Sequence, residues 1–536
     1  MIIDSESLLS KGEIGPATDL ESLFVKGKSW PPASERDRFA RYDIAKKIRA
    51  NQYNQLWGDE LRFLREDNKR ALKVYLGLPW LALKKTADLM IGEPPQFGFP
   101  KVKTSKDVTL DPTSPFGYPK VQDARQESLD VLVKRTNFRQ VIKEVLFDMD
   151  ALGDGIFKVY KDDEGEVQIQ ANSPSSWIPI VKLGAIRDIQ YHILFHIFRK
   201  MIKEEKKHFL YVEIHSETEI GHRIYELEHS GVRAVMYDGT PLDNPYNLGD
   251  LQDLDDFQDD YPGLKDVEDN PLGEFMVITC HNIRTSDDIY GRGSIEGDLE
   301  GILKSMIMRY SQISRILDKH ADLNMVAPQG FTEKNIITGK QQFRAGGRIF
   351  TYKHDPHMTA PDIHYLSPTF DGVVQAEEEI KRFKEDIHNL LELPMAATAM
   401  EAGKADKSGT AWRLSMSPLL EKVTRLREEL DWAVDQCLSI ALRLIGVDPD
   451  GIYIKWDDGL PKLAEEESRY VANLVVAKAR SAEGLMRDHG IDDDEIKQEM
   501  NEIRNAENGI GGNIGNPIAP TNQSTTPKGV QDTNAP

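Results

Sequence analysis

Residues 294–322 read SIEGDLEGILKSMIMRYSQISRILDKHAD, and the fold turns on how this stretch is read. Leu299, Ile302, Leu303, Met306, Tyr310, Ile313 and Leu317 recur at helical spacing and make one apolar stripe. Ser294 is placed to cap the helix, with Glu296 in its first turn. Gly297 and Gly301 weaken the start by about 1 kcal/mol each relative to alanine. At about 1.5 Å per residue such a helix spans roughly 40 Å. A second helical run, DGVVQAEEEIKRFKEDIHNLLEL (371–393), is stopped by Pro394. Ile380, Phe383, Ile387 and Leu390 form its expected apolar face. Between the two lie short apolar runs set off by turns, NMVAPQG, AGGRIFTYKH and DIHYLSPTF. Two long helices leaving and re-entering a compact module predict an antiparallel pair with a small domain at its tip.

Downstream, AMEAGKADKSGTAWRL (399–414) crowds small and basic residues ahead of the longest helical run, 411–446. Leu419, Leu420, Val423, Leu426, Leu430, Val434, Leu438 and Ala441, with Leu444 or Ile445, mark its stripe, and Gly446 and Pro449 end it. GIYIKWDD reads as a short strand, and 463–507 returns to helices broken at Gly484 and Gly490. Within that region Asp492 and Glu495 form a capping box, and Ile491 and Ile496 a hydrophobic staple. From Gly509 the chain has no aromatic residue and many Gly, Pro, Asn and Thr, the composition of a flexible tail.

Upstream, residues 1–35 read as an irregular arm and Arg41–Met90 as helical, interrupted by Pro79 and ended at Gly92, Pro94 and Pro95. Residues 121–151 read as another helix. GIFKVYKDDEGEVQIQAN (155–172) carries a hairpin signal at Asp163-Glu164-Gly165, and the β reading continues to about residue 236. The fold class is α+β.

The 536 residues carry 88 acidic and 67 basic side chains, a formal charge of −21. That excess is a poor footprint for tight nucleic-acid binding, which draws its affinity from phosphate neutralisation. Two cysteines, Cys280 and Cys437, make no disulfide framework and point to a reducing compartment. The N-terminus lacks a signal-peptide pattern, and no run of about 18 apolar residues predicts a membrane span.

Chemical motifs fail one after another. A phosphate loop needs G-x-x-x-x-G-K-[ST] between strand and helix. Here Ala405 follows Lys404, Thr398 stands where the first glycine belongs, and a helix precedes. His354, His357 and His364 match no strong zinc spacing and read as structural or surface residues. Cys280 sits in GEFMVITCHNI, a core strand rather than a nucleophile site. The segment 250–270, DLQDLDDFQDDYPGLKDVEDN, holds nine carboxylates and one lysine. It lacks calcium-loop spacing and its central glycine, and reads as a solvated acidic loop. No G-x-S-x-G elbow and no dinucleotide fingerprint occur, so no catalytic residue, cofactor or metal is expected.

The order of elements resembles the portal proteins of tailed double-stranded DNA bacteriophages. The resemblance is carried by NKRALKVYLGLPWLALKKTADLMIGEPPQF, LGDGIFKVYKDDEGEVQIQANSPSSWIPI, IYGRGSIEGDLEGILKSMIMRYSQI, SGTAWRLSMSPLLEKVTRLREELDWAV and IKWDDGLPKLAEEESRYVANLVVAKARSAEGLMRD. The resemblance extends over roughly residues 40–507. It implies a ring, usually of twelve subunits, at one capsid vertex of the virion, assembled in the host cytoplasm. Double-stranded DNA is driven in through the ring by a separate terminase and later leaves through it. It implies an N-terminal arm (1–40), a wing (41–293), stem helices (294–321 and 371–394), a small α/β clip (322–370), a tunnel loop (395–411), a long wing helix (412–447), a helical crown (448–508) and a disordered tail (509–536). The tunnel loop would bring Glu401, Lys404, Asp406 and Lys407 to the channel. The clip, with Arg344, Arg348, Lys353 and His354, would face terminase and then head-completion or adaptor proteins. Major capsid and scaffolding proteins are the remaining expected partners, and no membrane is involved. The alternative reading is another phage-head connector or minor capsid protein without a DNA channel.

A conduit must not hold DNA, because many phosphate contacts around a ring would stall sliding. An acidic wall with Lys404 and Lys407 at one loop meets that need, although these lysines are equally placed to pair with a neighbouring subunit's carboxylates.

Overall fold

The computed structural model describes residues 17–57, 77–92, 94–99, 124–162, 164–202, 205–229, 246–258, 265–320, 324–328, 349–352, 364–366, 371–394 and 414–456. The chain divides into two units, Met1–Leu460 and Pro461–Pro536, and the second lies outside the described residues.

The arm is more ordered than its composition predicts. It holds helix α1 (Leu20–Leu23), capped by Asp19, and strand β1 (Ser29–Trp30). Trp30 is buried and packs on Phe24 and Phe195. The arm is held because a large indole contributes more on burial than the short segment loses in freedom. Helix α2 (Arg36–Arg49) follows and crosses the expected arm–wing boundary. Within the stretch read as helical from Arg41 to Met90, the described residues form α2, α3 (Tyr53–Trp57) and α4 (Leu78–Ile91). Pro79 stands in the first turn of α4 and so begins a helix rather than interrupting one, since its missing N–H is unneeded there.

Residues 121–151 likewise give two helices, α5 (Ala124–Arg135) and α6 (Phe138–Leu152), separated by Asn137 at φ 49°. Helix α6 buries Phe138, Val141, Ile142, Val145, Leu146 and Met149 at helical spacing. The predicted hairpin is strands β3 (Asp154–Lys161) and β4 (Val167–Asn172), paired antiparallel. Strand β2 (Gln96–Gly98) lies earlier, and strand β11 (Val277–His281) completes a three-stranded sheet with β3 and β4. Cys280 is fully buried in it, as read from the sequence, and burial pushes its thiol pKa up.

The β-rich lobe is a seven-stranded sheet. Its members are β1, β5 (Trp177–Lys182), β6 (Ala185–Ile202), β7 (Glu205–His215), β8 (Glu219–His229), β9 (Tyr246–Leu251) and β10 (Val267–Asp269). The order is β1-β9-β8-β7-β6-β5, with β10 on β8. The acidic segment is not wholly a solvated loop, because it opens in β9 and closes in β10. Between them Leu254 and Phe257, on a 3-10 turn capped by Asp253, are buried against Phe209 and Ile224. Two apolar residues thus pin the run to the sheet while Asp253, Asp255 and Asp256 stay exposed. Among the described residues no cluster of His, Cys, Asp or Glu could hold a metal ion.

Then come helix α7 (Asp298–His320), strands β12 (Asn324–Pro328), β13 (Ile349–Tyr352) and β14 (His364–Leu366), and helix α8 (Asp371–Leu390). Helix α9 (Ser417–Leu444) is the longest of the described helices, and β15 (Tyr453–Lys455) pairs antiparallel with β2. Helix α9 buries Leu419, Val423, Leu426, Leu430, Val434, Leu438 and Ala441, as its stripe predicts. No described helix is long and apolar enough to cross a membrane.

Candidate functional site

Glu401, Lys404, Asp406 and Lys407, like Arg344, Arg348, Lys353 and His354, lie outside the described residues. What the structure shows is the frame that would carry them.

Between α7 and α8 in the chain, the three runs read as strands form one mixed sheet. Strand β12 pairs parallel with β13 and antiparallel with β14. Helices α7 and α8 lead to and from it. Leu303, Met306, Ile307 and Ile313 share one apolar cluster with Val373, Ile380 and Ile387, and Arg309 Nε lies 2.6 Å from Glu379 Oε2. Leu390 does not join that face, being 43% exposed, whereas Leu391 and Leu393 are buried. Leu391, four residues after Ile387 and with its N–H still bonded to the Ile387 carbonyl, continues the face instead, and Glu392, at φ 53°, turns the chain after it.

The same turn is tied down just ahead of the segment 395–413, which lies outside the described residues. Arg425 of α9 holds Glu392 at 2.8 Å, and His388 Nδ1 lies 2.8 Å from the Leu393 carbonyl. Leu391 and Leu393, before the loop, and Met416 and Leu419, after it, belong to one buried cluster. The described chain on either side of that segment therefore meets in a single packed base.

Behind that base, α7 is rooted in a buried polar junction. The helix begins at Asp298, not Ser294, because Gly297 takes φ +70° and Ser294 is engaged elsewhere. The Ser294 N–H donates to the Asp150 carbonyl at 2.7 Å, and its hydroxyl to Asp150 Oδ1 at 2.5 Å. Lys422 of α9, fully buried, places Nζ 2.9 Å from the same Oδ1. The ammonium approaches out of hydrogen-bonding line, so this contact is an ion pair.

Four residues on, Asp154 is also buried. It accepts hydrogen bonds from the Tyr42 hydroxyl and from the Gly291 N–H at 2.8 Å, and lies 2.6 Å from His281 Nδ1. Burial raises the Tyr42 pKa, and the Asp154 charge raises it further. Arg38 stacks over Tyr290 at 4.1 Å and pairs with Glu35 at 2.8 Å, while the Tyr290 hydroxyl donates to Glu35 at 3.0 Å. Burial opposes the Arg38 charge, but Tyr290, Glu35, Tyr42 and Asp154 outweigh it and keep the guanidinium protonated.

Backbone sterics close the junction. Gly153 and Gly291 touch main chain to main chain, and a Cβ on Gly291 would stand 2.0 Å from the Gly153 oxygen. This contact is the physical content of the YGRGS sequence before α7.

Asp148 and Asp150 sit in the last turn of α6, the wrong end of the helix dipole for a carboxylate, at a cost of about 0.3–1 kcal/mol each. Each is tied to another element, Asp148 to Arg49 at 2.8 Å and Asp150 as above. Burial raises the Asp148 pKa against the pull of Arg49. The composition search did not single out Asp150, Asp154 or Lys422. A signal was present for the last. Lys422 is three residues after Leu419 and four before Leu426, so it lies on the apolar stripe.

A profile of the phage portal protein family, SPP1 Gp6-like, matches residues 40–510. The chain belongs to that family. The fold is similar to a chain of the "Virion of native gene transfer agent (GTA) particle", at 12% identity and a TM-score of 0.40, covering 77% of this chain and 90% of that one. It is also similar to a chain of the "Neck of native GTA particle computed with C12 symmetry", at 12% identity and a TM-score of 0.39, with the same coverages. No curated protein matches the sequence.

Proposed function

We propose that this subunit closes into a portal ring, of twelve copies, through which double-stranded DNA is packaged into the capsid and later ejected. Its role is structural, and the energy of packaging comes from a terminase docked on the clip. Head-completion or adaptor proteins take the terminase's place once the capsid is full, and the wing bears on the capsid shell and its scaffold. The observation that carries this reading is the family match across residues 40–510.

The charge supports it physically. At −21 per subunit, a ring of copies repels a duplex rather than gripping it. Lys404 and Lys407 would offer brief phosphate contacts from a loop whose base is packed and whose body is free of bulky residues from Glu401 to Ala411. Arg344, Arg348, Lys353 and His354 are the proposed partner contacts of the clip.

Negative-stain microscopy of the purified protein tests the ring. Wheels with an axial hole of duplex width are expected, and solid discs, filaments or monomers would refute the channel. Lys404→Ala with Lys407→Ala is expected to leave the ring intact and change the length or retention of packaged DNA. If the ring is lost instead, these lysines hold subunits together rather than touch DNA. ATP turnover that depends on Lys404 would contradict a purely structural role.

A further inference from the structure

Two segments that are far apart in sequence converge on one buried carboxylate. Ser294, at the root of α7, gives Asp150 both its N–H and its hydroxyl. Lys422, in the second turn of α9, gives the same carboxylate its charge. Asp150 and Lys422 are 1% and 0% exposed, so neither charge is shared with water. The same three segments bring Leu152, Leu299, Leu303, Met416 and Leu419 into one buried apolar shell. Asp150 Oδ2 takes no hydrogen bond from a described residue.

An apolar side chain at 422 would fill the shell with less desolvation than an ammonium. A buried ion pair is weak evidence for stability, and its best-attested use is to fix the register of the elements it joins. Geometry gives it that use here. Helix α9 follows the segment 395–413, which lies outside the described residues, and α7 leads along the chain to the β12–β14 sheet.

We propose that Asp150, by holding Ser294 and Lys422 together, is a mechanical joint that makes the root of α7 and the first turns of α9 move as one piece. A displacement of the loop end of α9 is thereby passed to the helix that reaches the clip, and the reverse. The joint belongs to the subunit and does not depend on what passes through the ring.

Hydrogen–deuterium exchange of the full-length protein, resolved by peptide, tests it with Lys422→Met and with the charge-neutral pair Asp150→Asn plus Lys422→Met. The single variant strands a buried carboxylate and loses stability. The double variant removes both charges, keeps an acceptor for Ser294 and regains most of the thermal midpoint. In the double variant, exchange at 294–303 and at 417–424 is expected to rise together, by about tenfold, with α6 and the seven-stranded sheet unchanged. Wild-type exchange at 294–303 in the double variant would overturn the joint. So would a uniform rise across the subunit, since that is what a merely stabilising pair gives. If Lys422→Met does not fold, the double variant alone decides.

Discussion

The junction behind α7 and the outer ribbon of β6, β7 and β8 are both rich in charge, and they use it in opposite ways. At the junction Glu35, Arg38, Asp150, Asp154 and Lys422 are all buried, and each meets a partner from another element. On the ribbon, pairs such as Lys207 with Glu226, 2.7 Å apart, stand across neighbouring strands in contact with water. The gross interaction is similar and the consequence of losing it is not. A buried group deprived of its partner keeps its full desolvation penalty, whereas an exposed one is rehydrated. Charge at the junction therefore specifies how elements meet, and charge on the ribbon keeps the water-facing side of these strands polar.

The hardest way to break the junction is through its backbone. Gly291→Ala sets a methyl group against the Gly153 carbonyl, main chain on both sides, where no side chain can yield. Loss of more than about 3 kcal/mol is expected, read as a collapse in soluble yield or in the urea midpoint. Asp154→Ala comes next. It leaves the Tyr42 hydroxyl, the Gly291 N–H and His281 without their acceptor, a loss of about 3 kcal/mol in the same measurement. An effect below 1 kcal/mol would mean that the three donors find other acceptors and that the junction is looser than its geometry.

How much of this was legible in the sequence follows the same division. Local signals gave the helices, the hairpin at 163–165 and the three short strands between α7 and α8, because spacing and turn residues decide those alone. They failed where a distant residue intervened. Ser294 has the chemistry of a cap, but Asp150 takes its hydroxyl, so the helix starts at Asp298. Leu390 is three residues after Ile387, but Leu391, four residues after it, carries the buried face on, and Leu393 is buried beyond the turn at Glu392. In the acidic run, Leu254 and Phe257 are only two apolar residues among carboxylates, and their anchoring role appears once β6–β8 supply a surface. The channel and clip residues rest on family likeness, since 395–413 and most of 322–370 lie outside the described residues.

A pH scan sharpens the comparison within the sheet itself. His192 of β6 is buried beside His215 and His281, accepts a hydrogen bond from Trp177 Nε1 at 3.1 Å on Nδ1, and packs edge-on against Phe275. Burial, then the neighbouring His215 and His281, push its pKa down to about 3 from 6.5. The unfolded chain takes up a proton below pH 6.5 that the folded chain refuses. Stability from this site is thus complete above pH 6.5 and falls as pH drops toward 3, by roughly 1.4 kcal/mol per unit at full slope. His215 and His222, also depressed by burial, act in the same direction. His192→Gln is expected to flatten the slope between pH 6 and 4 by about one proton, measured from urea midpoints. An unchanged slope would place the uptake elsewhere.

The smallest effect is predicted on the ribbon. Lys207 is held by Glu226, and that pairing raises its pKa, yet its side chain is 35% exposed and the interaction is open to salt. Lys207→Ala is expected to leave the thermal midpoint unmoved at physiological ionic strength. The comparison depends on this null result as much as on the losses at the junction. The same removal of one partner, from a pair with a similar separation, should be destructive at Lys422 and silent at Lys207, because only burial differs in kind. If Lys207→Ala lowered the midpoint as far as Lys422→Met, water would not be screening the ribbon pair. The ribbon face would then be covered in the assembled protein, and comparison of the midpoint in dissociated and assembled samples would show whether a neighbouring copy covers it.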